Sequence, residues 1–294
     1  RRSAAILNEL ARRGVMITPA TARTPATVQP LFAGVSQSVY TNADGKHLPL
    51  PAIVMTGGAL WDRTRERFES CTLIPEADAE RIRDTFGRQS LRPFIYCLSG
   101  DSFLNVYHPA AMSRRENSFY QERRHLQLKR FHLDQQPARL DHVALFFAIG
   151  PVEAVKQASE ELRKVTDCAT AWYPDVIMPD TGLIDIYAPG VSKAHAVSEL
   201  ALRVGADETV VFGDNLNDLP MMRVATTPVA VGNALPEVKE AADIVIGPNT
   251  EDAVPLFIAQ REGINVSDIP DLYPPERNHE HLRNQTLRSG RVSG

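Results

Sequence analysis

The sequence is poor in cysteine, in long apolar runs and in charge of one sign, and each scarcity closes a class of answer. Its three cysteines, Cys71, Cys97 and Cys168, are widely spaced and odd in number, with no C-x-x-C pair. They offer neither a disulfide framework nor a zinc site, so a reducing, cytoplasmic location is expected. The longest apolar run, Val143 to Ile149 and on past Gly150-Pro151 to Val152, is far short of the roughly 18–20 residues that cross a bilayer, and no membrane partner is expected. With 32 Lys and Arg against 36 Asp and Glu, the charge of -4 gives no basic field for nucleic acid. What remains, 43% hydrophobic and 23% charged residues over 294 positions, is ordinary folded-protein composition with length for two compact units.

Periodicity then divides the chain. Ile6, Leu7, Leu10 and Ala11 share one helical face and Gly14 marks its end, which reads as a core helix rather than a transit peptide. Val15 to Thr18 reads as a short strand, Pro25 to Phe32 as helical, and Pro51 to Met55 as a second buried strand. From about Cys71 to Asp185 the texture changes. Strand-like segments at 94–98, 103–107, 143–147 and 183–187 alternate with helical stretches at 77–86, 118–124 and 152–164, an α+β unit inserted into an α/β one. After Ser192 strands and helices alternate regularly to about residue 260, implying a parallel sheet. The expected division is 1–70 and 186–262 as one core, 71–185 as the insert, and 263–294 as a loose tail too poor in apolar residues to bury.

Three segments carry chemistry. Val210-Val211-Phe212-Gly213-Asp214-Asn215-Leu216-Asn217-Asp218 delivers Gly213 and Asp214 to a strand's carboxyl end, where ligands bind in open α/β sheets. Asp214, Asn217 and Asp218 then put two carboxylates and an amide in one loop, a hard-oxygen set suited to Mg²⁺; the plainer reading is that Asp218 caps the helix that Pro220 begins. Ser192 reads as an N-cap, which places Lys193 in a first turn where the helix dipole disfavours a cation and an anion would be shared. Thr18 to Arg23 offers the Thr21 hydroxyl and free N–H groups in a turn, a weaker pattern.

In this order the three segments resemble the haloacid dehalogenase (HAD) superfamily of phosphohydrolases, in its Cof-type branch with the large C2 (type IIB) cap, over about residues 4–260. The resemblance rests on Gly213-Asp214-x-x-Asn217-Asp218 and its continuation through Asp252, on Gly190-Val191-Ser192-Lys193, and on Ala20-Thr21-Ala22-Arg23. It implies a Rossmann-like parallel-sheet core with an inserted C2 cap. It also implies Lys193, Thr21 and Ala22 on the transferring phosphoryl group, Asp214 and Asp218 on Mg²⁺, and Asn217 completing the phosphate site. Expected partners are small phosphorylated metabolites, in a monomer or homodimer. The cap selects the leaving group in that family, and Tyr107, His108, Arg114, Arg115, Trp172 and Tyr173 are aromatic and basic candidates here.

The departures are informative too. Ala22 stands for the family's glycine, a strain if φ is positive. Thr56-Gly57-Gly58-Ala59 stands for a common Asn-Gly-Ala. The family's Asp-x-Asp-Gly-Thr, holding the nucleophile and the general acid/base, is expected upstream of Arg1, so the first strand is expected to be missing and the chain as it stands to be inactive. Asn42-Ala43-Asp44-Gly45 imitates that motif but reads as a hairpin turn. Two functions are therefore open: Mg²⁺-dependent hydrolysis of phosphate monoesters through an aspartyl-phosphate, or non-catalytic binding of a phosphorylated ligand. A cation-pump domain with the same Gly-Asp pattern lacks its membrane spans.

Overall fold

The computed structural model describes residues 2–175 and 178–269. Gly14, at φ +85°, ends the chain's first helix, α1 (Arg2–Arg12), whose Ile6 and Leu10 are fully buried. Residues 15–19 run extended but outside any sheet; only Ala20 pairs, in a parallel bridge with Ile53. Proline opens the short helix α2 (Pro25–Val28), which continues as a 3₁₀ turn to Phe32. Strands β1 (Val39–Thr41) and β2 (His47–Pro49) form a hairpin closed by Asn42, whose N–H reaches the Lys46 carbonyl at 3.0 Å, with Gly45 at φ +75°. The Asp44-Gly45 pair is thus a turn. Strands β3 (Ala52–Val54), β4 (Ala59–Asp62) and β5 (Arg67–Cys71) follow as an antiparallel sheet.

The central part is one six-stranded sheet. Helix α3 (Glu76–Arg88) precedes β6 (Phe94–Ser99) and β7 (Phe103–His108). Helix α4 (Arg114–Arg123) begins four residues earlier than periodicity suggests, because Ser113 and Glu116 form a reciprocal capping box. Next come β8 (Lys129–Leu133), β9 (Val143–Pro151), α5 (Val152–Val165), β10 (Cys168–Pro174) and β11 (Thr181–Pro189). The order is β10-β11-β9-β6-β7-β8, with β7 and β8 parallel. Strands β8 and β10 escape the sequence reading: Lys129-Arg130-Phe131-His132-Leu133 mixes charge into an edge strand, and β10 is largely solvent-facing. Phe86 of α3 packs on Phe146 from one face, whereas Phe119 of α4 packs on Phe94 and Phe147 from the other. That second, inner face also carries Lys129, which is 5% exposed. Its ammonium lies 5.4 Å from the Phe131 ring and meets no carboxylate among the described residues.

Past Pro189 come α6 (Lys193–Val204), β12 (Val210–Gly213), α7 (Leu219–Val224), β13 (Thr227–Ala230), α8 (Pro236–Glu240), β14 (Ile244–Val245) and α9 (Ala253–Arg261). The three strands form a parallel sheet in the order β12-β13-β14. The loose tail expected from residue 263 does not begin there: Ile264 and Ile269 are buried against Ile6, Leu10 and Ala259. Positions 270–294 of that tail lie outside the described residues. Among the described residues no helix is long and apolar enough to cross a membrane.

Candidate active site

Local chemistry places Lys193. The Ser192 hydroxyl accepts the His195 N–H at 3.1 Å and starts α6, so Lys193 is its first residue. Lys193 is only 6% exposed, and its Nζ donates to Asp218 Oδ1 at 2.6 Å. Gly213 makes that approach possible, since a Cβ there would stand 2.9 Å from both the Asp218 Cβ and the Met222 Sδ. Asp218 does not cap α7. Instead its Oδ2 reaches back to the N–H groups of Asp214 at 3.1 Å and Asn215 at 3.3 Å, pinning the turn on the strand end.

The Thr21 turn joins this corner through an intermediary. The Thr21 N–H donates to Ile53 at 2.9 Å, its carbonyl accepts from Thr56 at 3.0 Å, and its Oγ1 accepts the Arg23 N–H at 3.2 Å. Its hydroxyl proton stays available. Gly57, next to Thr56, presses on Ser192, where a Cβ would overlap the carbonyl. Met55, Thr56 and Gly57 all take left-handed φ, at 53°, 59° and 94°, and such consecutive strain is characteristic of functional loops. Ala22 is not in the left-handed region, so alanine fits there without strain.

The electrostatics ask for a cation. One Lys193 charge faces two carboxylates, and burial together with the neighbouring Asp218 raises the Asp214 carboxyl above its ordinary range. Asp214 itself is exposed and free to ligate. Asp218 is buried, with Oδ1 on Lys193 and Oδ2 on two backbone N–H groups, and a carboxylate has about four acceptor sites, so the donor set of Asp214 and Asp218 fits a divalent ion while Asp218 also holds Lys193. Among the described residues no cluster of three or more His, Cys, Asp or Glu side chains is placed to hold a metal. Asn217 is exposed at the lip.

A cleft of about 750 Å³ opens beside this corner, lined by residues 15–21, by Val210 to Phe212 of β12, and by Val197, Leu200, Met221 and Phe257. Strand β12 pairs only with β13 among the described residues, so its other edge faces that cleft.

Of the six aromatic and basic candidates, one reaches the inner face of the large sheet through a polar group: the Tyr173 hydroxyl donates to Asp185 at 3.0 Å. His108 is a core residue stacked on Phe94, with its ring nitrogens on the Pro109 and Arg92 carbonyls. Trp172 meets Lys156 of α5 on the opposite face, Tyr107 stacks on His132, Arg115 pairs with Asp175, and Arg114 is exposed. Asp185 and Lys129 carry no local sequence signal, being a single polar residue in an apolar strand and one cation among several.

Comparison with known proteins adds the following. The sequence model of the haloacid dehalogenase-like hydrolases matches residues 1–258. A stretch of 78 residues is 44% identical to the putative phosphatase YkrA of Bacillus subtilis, covering 26% of this chain and 30% of that protein. Another of 94 residues is 38% identical to the pyridoxal phosphate phosphatase YbhA of Escherichia coli, covering 31% of this chain and 32% of that protein. The chain thus spans about a third of the length of these curated relatives. A haloacid dehalogenase-like hydrolase from Bacteroides thetaiotaomicron has the same fold at a TM-score of 0.67 and 18% identity, over 88% of this chain and 91% of that one. A HAD subclass IIB sugar phosphatase superposes at 0.63 and 20% identity, over 90% and 92%.

Proposed function

The chain belongs to the haloacid dehalogenase-like hydrolases, and from that premise we propose that it hydrolyses small phosphate monoesters (sugar phosphates, nucleotides or cofactor phosphates) with Mg²⁺, through an aspartyl-phosphate. The observation that carries this reading is the buried Lys193–Asp218 pair, set beside an Asp214 whose carboxyl is raised by burial and by Asp218. The names of YbhA and of the subclass IIB sugar phosphatase support the phosphatase activity. The six-stranded sheet and its helices serve in this reading as a C2-type cap.

In the reaction a carboxylate oxygen attacks phosphorus in line, the bond from phosphorus to the leaving oxygen breaks, and that oxygen takes a proton. Water then attacks the acyl phosphate, releasing inorganic phosphate and restoring the carboxylate. In this reading the attacking carboxylate meets the phosphoryl group at the cleft beside residues 15–21 and β12. Lys193 neutralises the phosphoryl oxygens, with Asp218 fixing its direction. Thr21 donates its hydroxyl proton, Ala22 its N–H and Asn217 its amide. When bound at Asp214, Mg²⁺ supplies further positive charge to those oxygens.

The test is hydrolysis of p-nitrophenyl phosphate in Mg²⁺ by the natural gene product and by its Asp214→Asn and Lys193→Met variants. Turnover that falls about a hundredfold or more in both supports the reading. No turnover in the wild type, or turnover untouched by Asp214→Asn, overturns it; phosphate binding without turnover is the mark of the non-catalytic alternative.

A further inference from the structure

The inner face of the six-stranded sheet carries a carboxylate that no cation answers among the described residues. Asp185 sits on β11 opposite Phe147 of β9 and Ala171 of β10. Tyr187, two residues on, points to the same face about 7 Å along the strand. The Tyr187 ring packs on Gly58, beside the strained loop whose Gly57 presses on Ser192. Through Tyr187 this stretch of β11 is joined by packing to the loop that touches Ser192, the residue before Lys193.

Around Asp185 the partners are neutral. The Tyr173 hydroxyl donates to Oδ2 at 3.0 Å, and Oδ1 receives no hydrogen bond among the described residues. The nearby cations are committed elsewhere: Arg115 to Asp175, and Arg123 to Glu122 at 2.6 Å and to the Phe119 carbonyl at 3.3 Å. The other titratable groups on this face near it are the phenols of Tyr96 and Tyr187, both protonated at neutral pH. Burial pushes the Asp185 carboxyl up to about 6, against the hydrogen bond from Tyr173. A desolvated carboxylate without a cation costs free energy, and an amide would hold the Tyr173 hydroxyl as well. The fold gains nothing from this charge that a neutral acceptor would not give.

A lone carboxylate among phenols accepts hydrogen bonds from hydroxyls and repels a second anion. We propose that Asp185, held by Tyr173, is a specificity determinant that selects phosphate esters of neutral polyols and rejects esters bearing another anionic group. This rests on the phosphatase reading of the Lys193 corner. It narrows that reading to leaving groups with hydroxyls near the ester and excludes carboxylated ones.

Calorimetric titration in Mg²⁺ with glucose 6-phosphate, methyl phosphate and 2-phosphoglycolate tests it, on the wild type and on Asp185→Ala. The variant loses about tenfold or more in affinity for glucose 6-phosphate, the loss of one charge-assisted hydrogen bond, and keeps methyl phosphate within about twofold. Its affinity for 2-phosphoglycolate rises. Tyr173→Phe, which only releases the carboxylate from its position, gives a smaller loss on glucose 6-phosphate alone. Should the alanine variant fail to fold by circular dichroism, Asp185→Asn keeps the shape and carries the same expectation for 2-phosphoglycolate. Equal effects on all three ligands, or glucose 6-phosphate affinity within about twofold of wild type, overturn the proposal while leaving the phosphate site standing. A wild type that binds none of the three overturns the phosphate site and the proposal with it.

Discussion

Lys129→Met removes a charge that the fold has buried without an acid among the described residues to meet it. The side chain is 5% exposed, and burial, reinforced by the Arg123 charge, pulls its pKa from the ordinary 10.5 down to about 7. At about 1.4 kcal/mol per pH unit, that drop is a cost to the folded state of about 5 kcal/mol. The sign follows from proton counting. Between pH 7 and 10.5 the unfolded chain binds the proton and the folded chain does not, so wild-type stability rises with pH across that window; below about 7 the cost is complete. Methionine keeps most of the volume and needs no solvation. Urea titrations of both proteins at pH 6, 8 and 9.5, following the transition that unfolds the six-stranded sheet, therefore give a variant more stable by several kcal/mol at pH 6, with the difference shrinking to about 1 kcal/mol by pH 9.5. A difference that does not change with pH, or a variant less stable at every pH, would mean that an anion answers the lysine.

Three further outcomes follow from close contacts at the candidate site. Gly213→Ala brings a methyl group to 2.9 Å from the Asp218 Cβ, so it destabilises the fold by about 1–3 kcal/mol and weakens phosphate binding, as denaturation and calorimetry would measure. Gly57→Ala, at φ +94° and against the Ser192 carbonyl, shifts the start of α6; thermal unfolding reads a lower Tm, and an unchanged Tm would contradict the contact. Ser192→Ala removes the N-cap and costs about 1 kcal/mol by the same assay, while leaving the Lys193–Asp218 pair in place.

What the sequence makes legible here is local. Gly14 stops a helix, Ser192 caps one, Asn42 to Gly45 turns a hairpin, and Gly213 to Asp218 folds back on its own strand, each within a few residues. The Lys193–Asp218 contact spans 25 positions; both residues are legible as punctuation at strand and helix ends, though their contact is read only from the structure. Partnerships between distant strands are not legible either. Asp185 meets Tyr173 across β10 and β11, and Lys129 lies in an edge strand whose alternation of charge hides it, so neither stands out before the sheet is assembled. Spacing puts Asp214 and Asp218 in one loop, but the bonds from Asp218 to the lysine and to two backbone N–H groups are seen only in the structure. The tail reading fails at 264–269 for a related reason: two isoleucines suffice when α1 supplies the other half of the contact.

In the proposed function the corner of Lys193, Asp218 and Asp214 holds a phosphoryl group with a divalent cation. Titration of inorganic phosphate into wild type and Asp214→Asn, each with and without Mg²⁺, tests it most directly, because Asp214 is exposed and its loss spares the fold. Mg²⁺ is expected to strengthen phosphate binding about tenfold or more in the wild type and not in the variant. Equal Mg²⁺ dependence in both proteins, or no phosphate binding by the wild type, would contradict it.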